Sequence, residues 1–457
     1  MNKTDALAHI PHLPVKPFIG HTKDALDDFL GLVSRSTREC GEVYRVNLLG
    51  RWRIHFTTPE AVEFLMTDPQ HILSSEQGWA DTMAELFPRG LMLRDFDDHR
   101  QHRRIMQAAF RKPAMDSYLA QMAPEMERLV GQWPMQKSFA FHPAIKELTL
   151  RIGSNVFMGL PPDAPEATVL NTLFRDQITA AVTVIRKPLP FTPFRKGIKA
   201  RAELVKRFSH LVNERRNTDG EDFFTRMCHA KDDDGRAWTD DEIVEHFNFM
   251  MMAAHDTTAS ALTTMVWAIT EYPEWQERLR EEVKQLGAGP MTPDMVAAMP
   301  LTEMVFHEAL RLVPPVPLIP RVAIKDFEWN GIHIPAGYGV TANVTMAMRS
   351  PAHYSNPENF DPERFNAERA EHRSHRFAWV PFGGGAHKCI GIHFANMQVK
   401  AFIRAFLNQS EISRSTTTPV EWKRLPTARP KCGLPVILSS NSAQVNSQSS
   451  HQATSQA

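Results

Sequence analysis

One cysteine stands where a chain would present a thiolate to a metal. Residues Pro381–Gly391 read PFGGGAHKCIG, with Cys389 four residues after three glycines and His387 and Lys388 between. Two chemistries suit a glycine-rich loop ahead of a helix. Backbone amides there can hold a phosphate, but that motif ends Gly-Lys-Ser/Thr, and here Lys388 is followed by Cys389. The alternative is a metal-bound thiolate. Amides and a helix start lower a thiol pKa, and glycines let the backbone lie close against a large flat ligand. A lone cysteine is more often a buried core residue, so the loop needs support from the rest of the chain. Cys40, Cys228, Cys389 and Cys432 form no CxxC pair, which speaks against a zinc module or a disulfide scaffold and for a reducing compartment.

A second reactive grouping is His255-Asp256-Thr257-Thr258. It lies inside a long helical pattern that opens with the capping box Thr239-Asp240-Asp241-Glu242 and ends at Pro273. The pattern runs for roughly 33 residues, or about 50 Å at 1.5 Å per residue. Four poor helix formers in its middle are a local inconsistency of the kind found at functional sites.

Around these two groupings the chain reads as mainly α with minor β. VYRVNLL and RWRIHFT form two strands about Gly50, and Thr58-Pro59-Glu60 starts a helix. Residues 97–220 are mostly helical in pattern, with a Pro-rich, apolar and basic break at Lys187–Gly197. Leu301–Leu312 is a helix stopped by Pro314-Pro315, strands follow near Arg321–Ala323 and Phe327–Ile334, and a last helix covers Gly391–Leu407. Residues 439–457 are Ser/Gln-rich and without charge, which predicts a disordered tail. At 457 residues the default expectation is two domains. Lys+Arg and Asp+Glu are both 52, so a globally basic nucleic-acid binder is not expected. No segment has the length and apolarity of a signal or membrane anchor.

The pattern Phe382-x-x-Gly385-x-x-x-Cys389-x-Gly391 is similar to the haem-binding signature of the cytochrome P450 family, with His387 at its basic position. Three further segments match in the family's order. Glu308-Ala-Leu-Arg311 and the Arg of Pro362-Glu363-Arg364-Phe365 resemble its buried Glu/Arg triad. Ala253-Ala254-His255-Asp256-Thr257-Thr258 resembles its oxygen-activating helix segment, with Ala where Gly is commoner. His99 and Arg103, on one face of a helix, and Arg321 resemble its propionate ligands.

The resemblance covers roughly residues 30–438 and implies one domain over 1–438, a triangular helical prism with a long central helix and small β-sheets. It implies haem b held by Cys389 as iron ligand, with Phe382, His387, Gly391, His99, Arg103 and Arg321 around it. It implies Asp256 and Thr257 as catalytic residues for proton delivery, and Glu308, Arg311 and Arg364 as a structural triad. The activity implied is a monooxygenase using dioxygen and two electrons. No flavin domain is expected after Leu438, so electrons would come from a separate ferredoxin or flavodoxin with its reductase. Lys388, Arg104, Arg111 and Lys112 are candidates for its docking face.

By resemblance, the substrate pocket comes from Trp79–Leu93, with Phe87, from Met250, Met251 and Ala254, and from Val316–Ile319, with Val316 and Leu318. These apolar, Met-containing stretches suit a bulky lipophile such as a sterol, terpenoid, retinoid or fatty acid. The expected location is cytoplasmic, with Lys187–Gly197 as the segment to test for peripheral membrane contact. The alternatives are a haem-thiolate enzyme that uses peroxide or isomerises its substrate, a haem sensor or lipophile carrier, and a helical protein without haem. The acid–alcohol pair argues against the first, and the lack of an evident output segment against the second.

Overall fold

The computed structural model describes residues 5–183 and 186–440. The helices that frame the site are α1 (Pro59–Thr67), α2 (Ser75–Met83), α3 (Phe96–Ala108), α4 (Phe141–Met158), α5 (Asp240–Glu271), α6 (Pro300–Leu312) and α7 (Ile392–Gln409). The central helix, α5, forms where its capping box predicts. Thr239 Oγ1 accepts the Glu242 amide at 3.3 Å, and Glu242 Oε2 accepts the Thr239 amide at 2.9 Å. Hydroxyls along it, one of them in the run of poor helix formers, bond back by one turn, so those hydroxyls are met within the buried helix. Thr257 donates to Ala253 O at 2.6 Å, Thr263 to Ala259 O at 2.6 Å and Thr264 to Ser260 O at 3.0 Å. Beyond them Leu262, Met265, Val266 and Ile269 are buried in the main core with Ile145 and Leu148 of α4.

Beside the helices lies a five-stranded sheet of β1 (Val43–Leu48), β2 (Arg51–Phe56), β3 (Leu73–Ser74), β4 (Leu318–Ala323) and β5 (Gly339–Asn343), in the order β1-β2-β5-β4-β3. Only β2 and β5 run parallel, with Ile54 opposite Val340. Side chains alternate faces along β4, so Ile319 and Arg321 share one side and Leu318 takes the other.

Four expectations need correction. The strand at Arg321–Ala323 begins at Leu318. Phe327–Ile334 is a hairpin of Phe327–Trp329 and Ile332–Ile334, turned at Asn330-Gly331, both with positive φ. The break at Lys187–Gly197 is half helix: Thr192 caps a helix over Pro193–Arg215, with Pro in its first turn. The tail does not begin at 439, because Pro435–Ser440 is a strand in which Ser439 and Ser440 pair with Glu411 and Ser410. Such backbone pairing needs no apolar side chain, so composition hides it. Residues 441–457, the rest of the expected tail, lie outside the described residues. Among the described residues no helix is long and apolar enough to cross a membrane.

Candidate active site

The Cys389 loop is shaped by close approach. Gly385 has φ +61, and a Cβ there would lie 1.9 Å from Met66 O in α1. Gly384 is covered by the Phe377 ring. The loop closes with the Cys389 amide donating to Phe382 O at 2.9 Å. Cys389 is accessible, but into an internal cavity, so its thiol is both open and desolvated. Burial pushes the thiol up. The Gly391 amide, Arg103 and Lys388 pull it the other way.

That cavity measures about 260 Å³, counted at the centres of water-sized spheres. It runs between the Cys389 loop, α3, α5 and the end of α6. One end is basic. His99, Arg103, Arg321, His387 and Lys388 line it, and among the described residues no Asp or Glu does. Arg321 is almost fully buried, and its guanidinium donates only to Pro320 O, at 2.8 Å. Burial lowers it to about 10. His99 and His387 lie ring on ring at 3.8 Å, and His99 Nε2 is buried with no partner. Burial first, then neighbouring guanidiniums, holds His99 down to about 4 and His387 to about 2.

The rest of the cavity is apolar. Met250, Ala254, Val316, Phe382, Gly391 and Thr257 line it. Three expected pocket residues do not. Phe87 is fully buried and sits edge-on to Phe249, which takes the cavity position. Met251 turns about 100° from Met250 around α5, towards Gly153 of α4. Leu318 yields to Ile319 by strand alternation. Sequence reading also missed Phe306 and Leu310 on the inner face of α6; the helix's apolar stripe held that signal.

Asp256 does not line the cavity. It pairs with Lys146 of α4 at 2.7 Å. Burial pushes its carboxyl up, but Lys146 and then His255 more than reverse this, so it stays below its usual range.

Glu308, Arg311 and Arg364 meet with no side-chain exposure. Arg311 grips Glu308 at 2.6 and 2.9 Å, and Arg364 reaches it at 3.0 Å. Arg311 also donates to Met348, Pro357 and Asn359 carbonyls, and Arg364 to those of Ser355 and Asn359. A fourth member, missed in the sequence, is Glu371, 2.6 Å from Arg364. Tyr354 lies beneath both guanidiniums. The segment then runs to Trp379, which donates to His307 O of α6 at 3.0 Å, just before the Cys389 loop.

Such a cavity, with one thiol, a greasy slot and an unneutralised basic end, suits a flat apolar cofactor with a metal and two carboxylates. Residues 11–426 match the family model described as Cytochrome P450, and the chain belongs to that family. It is 40% identical over 370 residues to putative cytochrome P450 136 of Mycobacterium tuberculosis, covering 80% of this chain and 75% of the relative. It is 28% identical to putative cytochrome P450 120 of Synechocystis, covering 93% of this chain and 95% of the relative. The solved retinoic acid-bound cyanobacterial CYP120A1 superposes with a TM-score of 0.84 at 28% identity, over 94% of this chain and all of that one. The cytochrome P450DA heme domain shares the fold, with a TM-score of 0.85 at 23% identity. The chain is therefore an oxidoreductase of monooxygenase type with haem b as cofactor.

Proposed function

We propose that this cytochrome P450 hydroxylates a bulky lipophile of sterol, retinoid, terpenoid or fatty-acid type. The observation that carries this is the cavity: past the basic end, its walls are Leu91, Met92, Phe249, Met250, Val316 and Ile319, with no carboxylate. The solved relative holding retinoic acid supports the same class.

Cys389 Sγ would hold the iron, and the orphaned His99, with Arg103, Arg321 and His387, would take the propionates. Haem, once bound, supplies the activation of dioxygen and its insertion into a C–H bond. The protein's share is placement, protons and exclusion of water. Phe382 and Gly391 would leave room for the macrocycle face. Thr257 commits its hydrogen to Ala253 O, which leaves its oxygen free to accept a hydrogen bond from the cavity. Asp256, ionised beside Lys146, would relay protons from the far side of α5. Glu308, Arg311 and Arg364 would hold the Cys389 loop in register.

Titrating ferric holoprotein with retinoic acid, cholesterol and palmitate tests the class. A low- to high-spin shift with at least one supports it, and binding of only small polar ligands would overturn it.

Electrons would come from a ferredoxin or flavodoxin at a face carrying Arg104, Arg111, Lys112 and Lys388. Of these, Lys112 pairs with Asp116 at 2.7 Å and Arg111 approaches Asp233 at 3.8 Å. Charge reversal at Arg104 should flatten the salt dependence of reduction; an unchanged dependence sinks this docking site. The cytoplasmic reading allows contact with a membrane surface, because Leu189 and Phe191 are exposed beside Lys187, Arg195 and Lys196. Co-sedimentation with anionic vesicles that survives Leu189→Ser plus Phe191→Ser would refute that contact.

A further inference from the structure

One wall of the large cavity is a segment whose two ends meet at a carboxylate. Ser75 and Trp79 of α2, and Leu91 and Met92 on the return leg, all line the cavity. Asp95 follows that leg and stands just before α3, where an aspartate ordinarily caps its own helix. It makes no such bond. Its carboxylate crosses instead to the start of α2, 20 residues earlier. Oδ1 accepts the Ser75 amide at 2.6 Å and the Glu76 amide at 3.2 Å, and Oδ2 accepts the Ser74 hydroxyl at 2.5 Å. A second tie lies alongside: Ser75 Oγ donates to Met92 O at 2.9 Å.

Both ends of the segment have a fixed base except the return leg. A Cβ on Gly78 would lie 2.7 Å from Pro320 O and 2.8 Å from Arg321 Cα, so α2 rests directly on β4. Ser74 pairs with Val322 of the same strand. The middle of the segment is seated as well: a Cβ on Gly90 would lie 2.5 Å from the Phe249 ring of α5, and Leu86 O accepts from Gln177 Nε2 at 3.0 Å. The return leg holds only the short 3-10 turn Leu91–Leu93. Such a turn has poor hydrogen bonds of its own, so its place depends on what ties it to α2. An ionised carboxylate suits that task, because it takes charge-assisted bonds at the positive end of a helix. Asp95, and then Asp68, also pull Arg321 upwards against the larger effect of burial, so the same carboxylate is a counter-charge to that guanidinium.

We propose that Asp95 is a positioning residue for the molecule that occupies the cavity beyond the haem: its carboxylate clasps the return leg onto α2 and so fixes Leu91 and Met92 relative to Trp79. Asp95 itself does not line the cavity. It acts through those three apolar side chains. A bulky ligand pressed against that wall feels the clasp, and a small one held at the iron does not. The proposal rests on the haem-thiolate site and on this wall, and not on the lipophile class, so the probes that test it are ligands of iron.

Ferric holoprotein is titrated with imidazole and with 4-phenylimidazole. Asp95→Ala should weaken 4-phenylimidazole about 10-fold and imidazole less than about twofold. Asp95→Asn keeps an acceptor for both amides but removes the charge, and should hold 4-phenylimidazole within about threefold of the parent. Amide exchange in peptides covering residues 75–93 should quicken in the alanine variant and not in the asparagine one. Equal weakening of both probes would put the effect at the haem and overturn the proposal, as would no weakening of either. An asparagine variant as weak as the alanine one would assign the effect to the counter-charge on Arg321, and would overturn it too. Should Asp95→Ala not retain haem, Ser74→Ala removes one of the three donors, and a loss of 4-phenylimidazole binding without loss of imidazole binding is still required.

Discussion

Two buried arginine clusters flank the Cys389 loop, and they differ in one respect. The Glu308–Arg311–Arg364 cluster is closed: carboxylates and six backbone carbonyl contacts meet its guanidiniums, with Glu371 as second counter-charge. The His99–Arg103–Arg321–His387 cluster is open, with a partnerless His99 Nε2 and a nearly buried Arg321 that has one carbonyl. Both group basic side chains in apolar surroundings, but only the closed one holds carboxylates. Counting partners separates them. The closed cluster meets its own charges, and the open one is the site proposed above for the propionates.

The contrast is broken most severely at Glu308. Glu308→Gln leaves buried Arg311 without a carboxylate and Arg364 with Glu371 alone, and about 3–5 kcal/mol of stability should be lost, read as collapse of soluble yield or of the denaturation midpoint. If stability is retained, the closed cluster is not what fixes this region. Arg321→Met should do the opposite in protein without haem, where removal of an unpaired buried cation leaves Tm unchanged or higher. With haem, loss of one charge-assisted hydrogen bond should speed haem loss about 10- to 100-fold. Equal effects on both forms would mean that Arg321 belongs to the fold alone.

Acid separates the clusters in a different way. His99 and His387 fall from an ordinary 6.5 to about 4 and about 2, chiefly through burial and then through adjacent guanidiniums. Below pH 6.5 the unfolded chain therefore binds protons that the haem-free fold refuses, and stability declines as pH falls towards those values. Burial would raise Glu371, but Arg369, Ser355 and Arg364 bring it from 4.5 to about 2. Its contribution is complete above pH 4.5 and is lost as pH drops towards 2. Buried histidines away from the cavity's basic end are held low in both forms, His55 to about 3 and His142 and His307 to about 4, so Tm should fall below pH 6.5 in each, but more steeply in haem-free protein than in holoprotein, where propionates would meet His99 and His387. Coincident curves would contradict the open-cluster reading. The smallest effect concerns the pocket: Ile319→Ala should weaken a lipophile's spin shift by several-fold, and Leu318→Ala by less than twofold.

What could be read from the sequence was whatever local chemistry enforces. The Cys389 loop closes on itself within seven positions, from the Cys389 amide to Phe382 O, and the cap of α5 is a four-residue event. What could not be read depended on distant partners or on the phase of an element. Asp256 was legible as an acid, but its Lys146 partner sits 110 residues earlier on another helix. Glu371 and Tyr354 complete the closed cluster from a segment with no helical or strand period. Met251 and Leu318 were placed in the right stretch and on the wrong face, because one step along a helix or strand redirects a side chain while leaving composition unchanged, and Phe87 lies in the turn after α2, where no period fixes a face.

The Lys146–Asp256 pair has one more consequence. Lys146 is about one-third exposed, and Asp256 faces it rather than the cavity. In the proposed relay the acid would meet bulk water through Lys146, on the α4 side of α5 and apart from the cavity lining. A lipophile could then fill the cavity without cutting off the proton supply.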